Sequence, residues 1–358
     1  MNSLTKKFIV LLLGSFAWLA HGEESWQSAQ PGWSYQFPRD FGPHPDFKTE
    51  WWYFTGNLRA PDGHEFGYEL TFFRQGVAKN PPPGSCFVVR DLRFAHFTIS
   101  DLTGGHFYFQ EKTSRGAFGE AGFGDGSRLA WIDDWELQRQ SDGTFTLHAT
   151  AEKMAITLQL ESQKPPVIHG ENGVSVKSSD TSHASCYFSL TRMKTSGQVV
   201  LNGQSYAVGG QSWFDKEWAS NQLASDQIGW NWFCLQLDDH TELMLYQMRR
   251  RDGSSDPASS GTFVAADGRT THLRADDLQL TPVKKWNDYP IAWQVRIPSL
   301  QLEATVTTPL ADQELALGAI SYWEGATRIT GTRRGHAVQG VGYLELTGYR
   351  GPLANLQK

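Results

Sequence analysis

The segment from Gly209 to Phe233 combines acidic and aromatic side chains at a spacing that could support acid–base chemistry. It reads G-G-Q-S-W-F-D-K-E-W, a short polar link, and then I-G-W-N-W-F. If its first part is a β-strand, side-chain alternation puts Trp213, Asp215 and Glu217 on one face. Two carboxylates on such an aromatic face cannot both be buried and ionised at low cost. The face is therefore wet, or the carboxylates are paired, or one of them is held protonated for catalysis.

The third possibility has a specific chemistry. A carboxylic acid in an apolar, aromatic cavity has its pKa raised by desolvation and can deliver a proton near neutral pH. Aromatic ring faces stabilise a neighbouring cation. Together these groups suit protonation of an electron-rich alkene, followed by capture of the carbocation by water. Asp215 is the predicted acid, and Glu217 is the predicted base or the group that orients the water.

The same carboxylates also have a structural interpretation. Glu50, Asp215 and Glu217 do not lie in turns, and each could instead form a salt bridge. The candidate partners are Lys216, Arg192 and Arg74. Both interpretations stay open from the sequence.

Other common catalytic signatures are absent from the sequence. It contains no G-x-S-x-G nucleophile elbow and no H-E-x-x-H metal motif. His96, His169 and His183 could converge in space, but no spacing among the 11 histidines indicates a metal site. The three cysteines form no disulfide framework, although one bridge is possible, and none is a predicted nucleophile. We therefore expect neither a metal nor a cofactor.

The composition is that of a β-protein. Fourteen Trp, 21 Phe and 11 Tyr accompany 35 Gly and 16 Pro in 358 residues, which favours strands and tight turns. Strand patterns recur from Glu50–Leu58 to Tyr343–Tyr349, with clear alternation in Met154–Glu161. No long amphipathic helix is evident. The sequence therefore predicts an all-β fold.

A weak internal repeat indicates two similar halves. The sequence W-W-Y-F before the turn D-G-H-E parallels W-N-W-F before D-D-H-T-E. This pattern predicts two tandem antiparallel barrels or half-barrels, in residues 23–200 and 201–358. Barrels of about eight strands can hold one small apolar ligand.

Residues 1–22 have the pattern of a cleavable signal peptide. Lys6-Lys7 precedes an apolar run at Phe8–Ala20 and a small-x-small cleavage site at Ala20-His21-Gly22. We therefore expect a secreted or periplasmic protein with no transmembrane span after processing. The net charge of −6 and the lack of long basic runs argue against nucleic-acid binding. The oligomeric state is unknown from the sequence.

Several segments in order carry a family resemblance. They are E-W-W-Y-F-T-G-N-L (Glu50–Leu58), G-Y-E-L-T-F-F-R (Gly67–Arg74), C-Y-F-S-L-T-R-M (Cys186–Met193), S-W-F-D-K-E-W and G-W-N-W-F-C-L-Q-L-D-D. Together they resemble the AttH-like, lipocalin-like proteins that include carotenoid 1,2-hydratases. The resemblance covers most of the mature chain and implies two calycin-like β-barrel domains. Many secreted members carry only the description "predicted secreted hydrolase".

The resemblance also implies roles for particular residues. The carotenoid hydratases have an aromatic residue and an Asp two positions apart, which correspond here to Trp213 and Asp215. Trp213 stands where those enzymes have Tyr. An upstream catalytic His of those enzymes corresponds to His183.

We therefore expect an exported, lipocalin-like protein that hydrates a hydrophobic, isoprenoid or lipid-like substrate through carbocation chemistry. Two alternatives remain open: a non-catalytic periplasmic binder or carrier of an apolar ligand, and a secreted hydrolase. If the chain is an enzyme, a hydratase-like lyase is favoured over a hydrolase. The predicted catalytic residues are Asp215, Glu217 and His183. The predicted ligand-binding residues are Trp213, Trp218, Trp230, Trp232, Tyr187, Arg192, Glu50, Trp52 and Tyr53.

Overall fold

The computed structural model describes residues 25–80, 88–180, 182–317 and 320–351. The predicted signal peptide lies outside the described residues, as does Cys86. Within these ranges no helix has the length and apolar character needed to cross a membrane. Regular structure there consists of β-strands and short 3₁₀ turns at Arg39–Phe41, Ala117–Gly119, Ala275–Asp277 and Pro298–Leu300.

The first sheet contains thirteen strands within the described ranges. They are β1 (Thr49–Arg59), β2 (Glu65–Gly76), β3 (Asp91–Asp101), β4 (His106–Ser114), β5 (Ala121–Phe123), β6 (Arg128–Ile132), β7 (Trp135–Arg139), β8 (Phe145–Thr150), β9 (Met154–Ser162), β10 (Val167–Ile168), β11 (Ser175–Val176), β12 (Ala184–Leu201) and β13 (Gln204–Asn221). The order is β4-β3-β2-β1-β13-β12-β9-β8-β7-β6-β5, and β10 and β11 pair with β12. The sheet forms a nearly closed antiparallel barrel, in which β3 and β4 approach β6.

The second sheet contains ten strands of the described chain. They are β14 (Gln227–Leu237), β15 (Glu242–Arg250), β16 (Ser260–Val264), β17 (Thr270–Arg274), β18 (Gln279–Trp286), β19 (Tyr289–Ile297), β20 (Leu302–Thr307), β21 (Glu314–Leu317), β22 (Ile320–Arg333) and β23 (His336–Leu346). The order is β17-β16-β15-β14-β23-β22-β20-β19-β18, and β21 pairs with β22. This sheet is also antiparallel and forms a half-barrel.

The prediction of an all-β protein with tandem antiparallel barrel-like sheets is confirmed. The chain passes from the first sheet to the second between Asn221 and Gln227. The predicted domain boundary after residue 200 precedes β13, which pairs with β1 and β12 of the first sheet. The division into two domains stays a prediction.

Side-chain alternation along β13 divides its residues between two buried environments. Phe214 and Trp218 belong to the core inside the first barrel. Trp213 points the other way and packs with Trp232 and Tyr343 of the second sheet in a separate hydrophobic cluster. Both faces of β13 are therefore buried between Ser212 and Ala219, one inside the barrel and one between the sheets.

The inward face of β13 also carries a charge. Lys216 and Glu50 are both fully buried, and the Lys216 ammonium contacts Glu50 Oε1. Arg74 Nε lies 3.1 Å from Glu50 Oε2, and His44 Nδ1 lies 2.7 Å from Oε1. Burial opposes ionisation of Glu50, but these partners outweigh burial and hold the pKa of Glu50 below its ordinary value. Of the two interpretations of Glu50, the structure shows the salt bridge.

Glu50→Gln tests how strongly this network stabilises the fold. The substitution leaves the Lys216 ammonium buried without its carboxylate, and we expect the free energy of unfolding to fall by ~3–5 kcal/mol. Urea denaturation measures this change. The matched control is Glu303→Gln, whose salt bridge to Arg296 is solvent-exposed, so its effect should stay within ~0.5 kcal/mol. Similar losses for both variants would contradict a structural role for the network.

Candidate functional site

A cavity of about 360 Å³ lies between the two sheets. Strands β1–β4, β12 and β13 line one side, and β14, β15 and β21–β23 line the other. Its aromatic lining residues are Trp51, Tyr53, Phe73, Phe94, Tyr187, Trp230, Trp232, Tyr246 and Tyr322. Known small-molecule sites are concave, mostly apolar clefts of roughly 300–1,000 Å³. The volume and lining of this cavity are therefore those of a small-molecule site.

The Asp215 carboxyl group forms part of the cavity wall and is 4% exposed. Tyr187 Oη donates a hydrogen bond of 2.6 Å to Oδ2. Trp213 Nε1 donates one of 2.6 Å to Oδ1, and Ser189 Oγ donates to the same oxygen. Burial raises the pKa of Asp215 to about 7, although its three hydrogen-bond donors oppose the shift. This carboxyl group can therefore carry a proton near neutral pH.

Glu217 has a different electrostatic environment, although it lies only two residues along the same strand. Its Oε1 is 3.1 Å from Lys177 Nζ and accepts a hydrogen bond of 3.2 Å from Gln222 Nε2. The Lys177 ammonium also lies 4.2 Å from the centroid of the Tyr246 ring. Glu217 thus forms an ion pair, whereas among the described residues no Lys, Arg or His forms one with Asp215. The two carboxyl groups are suited to different roles.

A chain of hydrogen bonds connects Asp215 to the second sheet. Ser189 Oγ, which donates to Asp215, is 2.6 Å from His169 Nε2. His169 Nδ1 is 2.8 Å from Thr262 Oγ1 on β16. Burial keeps the pKa of His169 well below its ordinary value, so this ring is neutral. One tautomer satisfies every contact: Thr262 donates to His169, and His169 donates to Ser189.

Several of the predicted site residues meet at this cavity. Its lining includes Asp215, Glu217, Trp230, Trp232, Tyr187 and Tyr53. Trp213 lies behind Asp215 and contacts it through the indole N–H. The Trp232 indole in turn donates a hydrogen bond of 3.0 Å to Tyr187 Oη.

Other predicted site residues lie elsewhere. Trp52 and Trp218 are one position out of phase with the cavity-facing residues and therefore point into the barrel core, as does Glu50. Arg192 Nε lies 2.5 Å from Glu242 Oε1 and joins the two sheets there. His183 is near the surface, where its Nδ1 is 3.8 Å from the carboxylate of Asp180, three residues earlier in the chain.

The acidic residues on the second side of the cavity are not among the predicted site residues. Glu324 on β22 and Glu345 on β23 both line it, and they are direct cross-strand neighbours. The sequence feature that could have identified them is a carboxylate in the middle of a strand pattern. Glu345 lies within the predicted strand Tyr343–Tyr349, but no aromatic pair with a second acid marks it in the way that Trp213 marks Asp215 and Glu217.

Comparison with known proteins provides a family and a set of related folds. Residues 28–349 match the family described as AttH-like. A crystal structure of an AttH from Nitrosomonas europaea is 35% identical, covers 90% of this chain and 99% of that chain, and has a TM-score of 0.80. No curated protein has a significantly similar sequence.

Two more distant structures share the fold. Kievitone hydratase from Nectria haematococca is 14% identical, with a TM-score of 0.69, and the match covers 87% of this chain and 92% of that chain. CghA is 12% identical, with a TM-score of 0.55 and coverage of 90% and 95%. At these identities the similarity shows the fold alone.

The raised pKa of Asp215 makes a prediction about stability. Because the folded pKa is above the unfolded value, the stabilising contribution is fully present below about pH 4 and is lost as the pH rises through about 7. Asp215→Asn removes this titration. We therefore expect the free energy of unfolding of the wild type to fall, relative to the variant, by a few kcal/mol between about pH 4 and 8.

Urea denaturation of both proteins at several pH values measures this difference. Asp276→Asn, at an exposed turn position, is the control and should give a difference that varies little over this range. Parallel stability curves for the wild type and Asp215→Asn would contradict a buried carboxyl with a raised pKa.

Proposed function

Because this chain belongs to the AttH-like family, whose fold is shared by a kievitone hydratase, we propose that it adds water to a carbon–carbon double bond of a hydrophobic substrate. The observation that carries the proposal is the position of Asp215. It is a buried carboxyl group without a cationic partner among the described residues, in the wall of an aromatic cavity, with a pKa of about 7. These are the properties of a general acid that works at neutral pH.

The proposed reaction begins with proton transfer from Asp215. The π-electron pair of the alkene forms a new C–H bond with the Asp215 proton, and the second alkene carbon becomes cationic. The ring faces of Tyr53, Trp230 and Trp232 stabilise this carbocation. A water oxygen then forms the C–O bond, with Glu217 orienting the water. The excess proton of the resulting oxonium returns to Asp215, so the sum is alkene plus water giving an alcohol.

The hydrogen bonds around Asp215 fit this cycle. During the cationic stage Asp215 is a carboxylate, and it then accepts hydrogen bonds from Tyr187, Ser189 and Trp213. Such preorganised donors stabilise charge that develops in the transition state without needing to reorganise. Burial favours the protonated form before the reaction, and these donors lower the cost of losing the proton.

The alternatives from the sequence receive less support. A binding protein with structurally paired carboxylates would use Arg192 or Lys216 as partners of Asp215, but these cations contact Glu242 and Glu50 instead. A hydrolase would need an accessible nucleophile or a metal site. Ser189 is hydrogen-bonded to His169, but it is fully buried behind Asp215. Hydration therefore agrees better with the arrangement of the cavity.

The location of the substrate follows from the signal peptide proposed for residues 1–22. Export would place the cavity in the periplasm or outside the cell, where isoprenoid or other lipid-like molecules of the envelope are candidate substrates. We keep this location as part of the proposal.

Asp215→Asn tests the catalytic assignment. Mature protein is incubated with a panel of prenyl alkenes in water enriched in heavy oxygen, and labelled alcohols are detected by mass spectrometry. Loss of the acid should lower turnover by ~10²–10⁴-fold. Substrate binding, followed by quenching of tryptophan fluorescence, should be retained because Asn has nearly the same shape.

The control for this experiment is Asp276→Asn, which should retain full turnover. Undiminished turnover by Asp215→Asn would exclude Asp215 as the acid. The absence of a labelled alcohol with every alkene that binds would favour the carrier alternative.

Ser189→Ala tests the hydrogen-bond chain behind Asp215. Removing a donor to the carboxylate disfavours the ionised form. A hydrogen bond to a charged group contributes ~1.5–3 kcal/mol, so the pKa of Asp215 should rise by about one to two units. The pH above which turnover declines should move upward by the same amount. Ser189→Thr should restore the original profile.

Ser212→Ala is the matched control for Ser189→Ala. Ser212 is also fully buried on a neighbouring strand, but it contacts Tyr68 and Thr195 and not Asp215. Its variant should keep the pH profile of the wild type. An unchanged profile in Ser189→Ala would show that the chain has only a structural role.

A further inference from the structure

Three glutamates at or next to the cavity take no part in the proposed proton transfer: Glu324 and Glu345 line it, and Glu69 lies beside them. Glu324 and Glu345 are cross-strand neighbours that line the side formed by the second sheet. Glu69 lies on β2 of the facing sheet and is fully buried. Burial, and then repulsion by Glu69 and Glu345, hold the pKa of Glu324 well above its ordinary value. The three groups therefore form one cluster, with members from both sheets.

Polar atoms of this cluster lack partners. Both carboxyl oxygens of Glu69 and Oε2 of Glu324 are buried without a well-formed hydrogen bond, although the Thr71 hydroxyl beside Glu69 and the Tyr53 hydroxyl beside Glu324 oppose the rise in the pKa of these carboxyl groups. The hydroxyl groups of Tyr53 and Tyr343 nearby are in the same condition. Buried polar groups in native proteins are nearly always hydrogen-bonded, because an unsatisfied donor or acceptor costs ~1–3 kcal/mol. A polar group of a ligand that enters the cavity would supply the hydrogen bonds that these atoms lack.

The cluster shares with Asp215 a lack of counter-charge, whereas several other buried acids of the described chain are paired with a cation. The paired examples are Glu50 with Lys216, Glu242 with Arg192, Glu217 with Lys177 and Asp256 with Arg250. Within the described ranges, no Lys, Arg or His forms an ion pair with any of the three glutamates. Nor do the described residues include a group of acidic, His or Cys side chains with the geometry to hold a metal ion.

Burying three carboxyl groups together costs free energy that the binding of a neutral group would not require. Glutamine would offer similar hydrogen bonds to a hydroxyl or carbonyl group without repulsion between carboxylates. Glutamate is the better residue only where a positive charge enters the site. Tyr53 and Tyr322 lie close to all three glutamates, Trp232 is the cross-strand neighbour of Glu345, and aromatic faces bind ammonium groups through cation–π attraction.

We propose that the Glu69–Glu324–Glu345 cluster binds the ammonium group of an amphipathic ligand whose apolar part extends through the cavity towards Asp215. The inference names a substrate class for the same cavity and thus rests on the proposed function. The substrate would be an alkenyl amine, and a saturated alkyl amine would bind without reacting. Its charge is neutralised by the cluster, and its hydrocarbon part lies against the aromatic wall.

Three probes of equal chain length test this assignment: octylamine, octanol and octanoate. Calorimetric titration of the mature protein at neutral pH should show octylamine binding at least ~10-fold more tightly than octanol, the factor given by one charge-assisted hydrogen bond. Octanoate should bind more weakly than octanol. Because at least one carboxyl group must ionise to pair with the ammonium, octylamine binding should release protons to the buffer and should strengthen as the pH rises from 5 to 8.

Glu324→Gln separates the cluster from the rest of the cavity. Octylamine affinity should fall by ~10-fold or more, whereas octanol affinity should change less than twofold. Glu69→Gln should have the same effect, and Glu303→Gln, at an exposed salt bridge, should have none. If Glu324→Gln does not fold, the half-buried Glu345 provides the same comparison through Glu345→Gln.

The outcomes distinguish this inference from the proposed reaction. Equal binding of octanol and octylamine, tighter binding of octanoate, or octylamine affinity unaffected in the glutamine variants would overturn the ammonium site. Alkene hydration dependent on Asp215 would still stand in each of these cases. If none of the three probes binds, the cavity is not a site for apolar ligands and both proposals fail.

Discussion

The burial of both faces of β13 between Ser212 and Ala219 is the constraint on which the rest of the structure depends. A strand whose inward face packs in a barrel usually exposes its other face to water, but here the second sheet covers it. Every charged residue on β13 is therefore buried, and each must find a partner or change its protonation state. On the inward face, Lys216 forms an ion pair with Glu50. On the face between the sheets, Asp215 has a raised pKa instead.

Local patterns were sufficient to predict one part of this arrangement. Alternation is a property of the strand itself, so the sequence placed Trp213, Asp215 and Glu217 on a common face without knowledge of the fold. It could not tell which face meets the barrel core and which meets the second sheet, because both carry aromatic residues. Trp218 was assigned to the ligand site for that reason and lies in the core instead.

Features that depend on distant segments could not be predicted from the sequence. His169 reaches Asp215 only through Ser189 and contacts Thr262, 93 residues further along the chain. Glu324 lies more than 100 residues from Asp215 in sequence, and the packing of the two sheets brings both into one cavity. The family resemblance predicted the all-β fold, because the motifs on which it depends are strand patterns. The role of His183 stays a prediction, and the structure places this residue near the surface beside Asp180.

The two acidic parts of the cavity are electrostatically coupled, and this coupling has a consequence for catalysis. Burial, with repulsion by Asp215 and Glu217, raises the pKa of Glu345 to about 8. Negative charge at Glu345 and at Asp215 therefore disfavour each other, so ionisation of Asp215 is costly in the empty cavity. An ammonium group bound beside Glu345 would offset that repulsion and make Asp215 a stronger acid. On this argument the acid is held protonated until a ligand of the right charge arrives, and binding itself prepares the proton transfer.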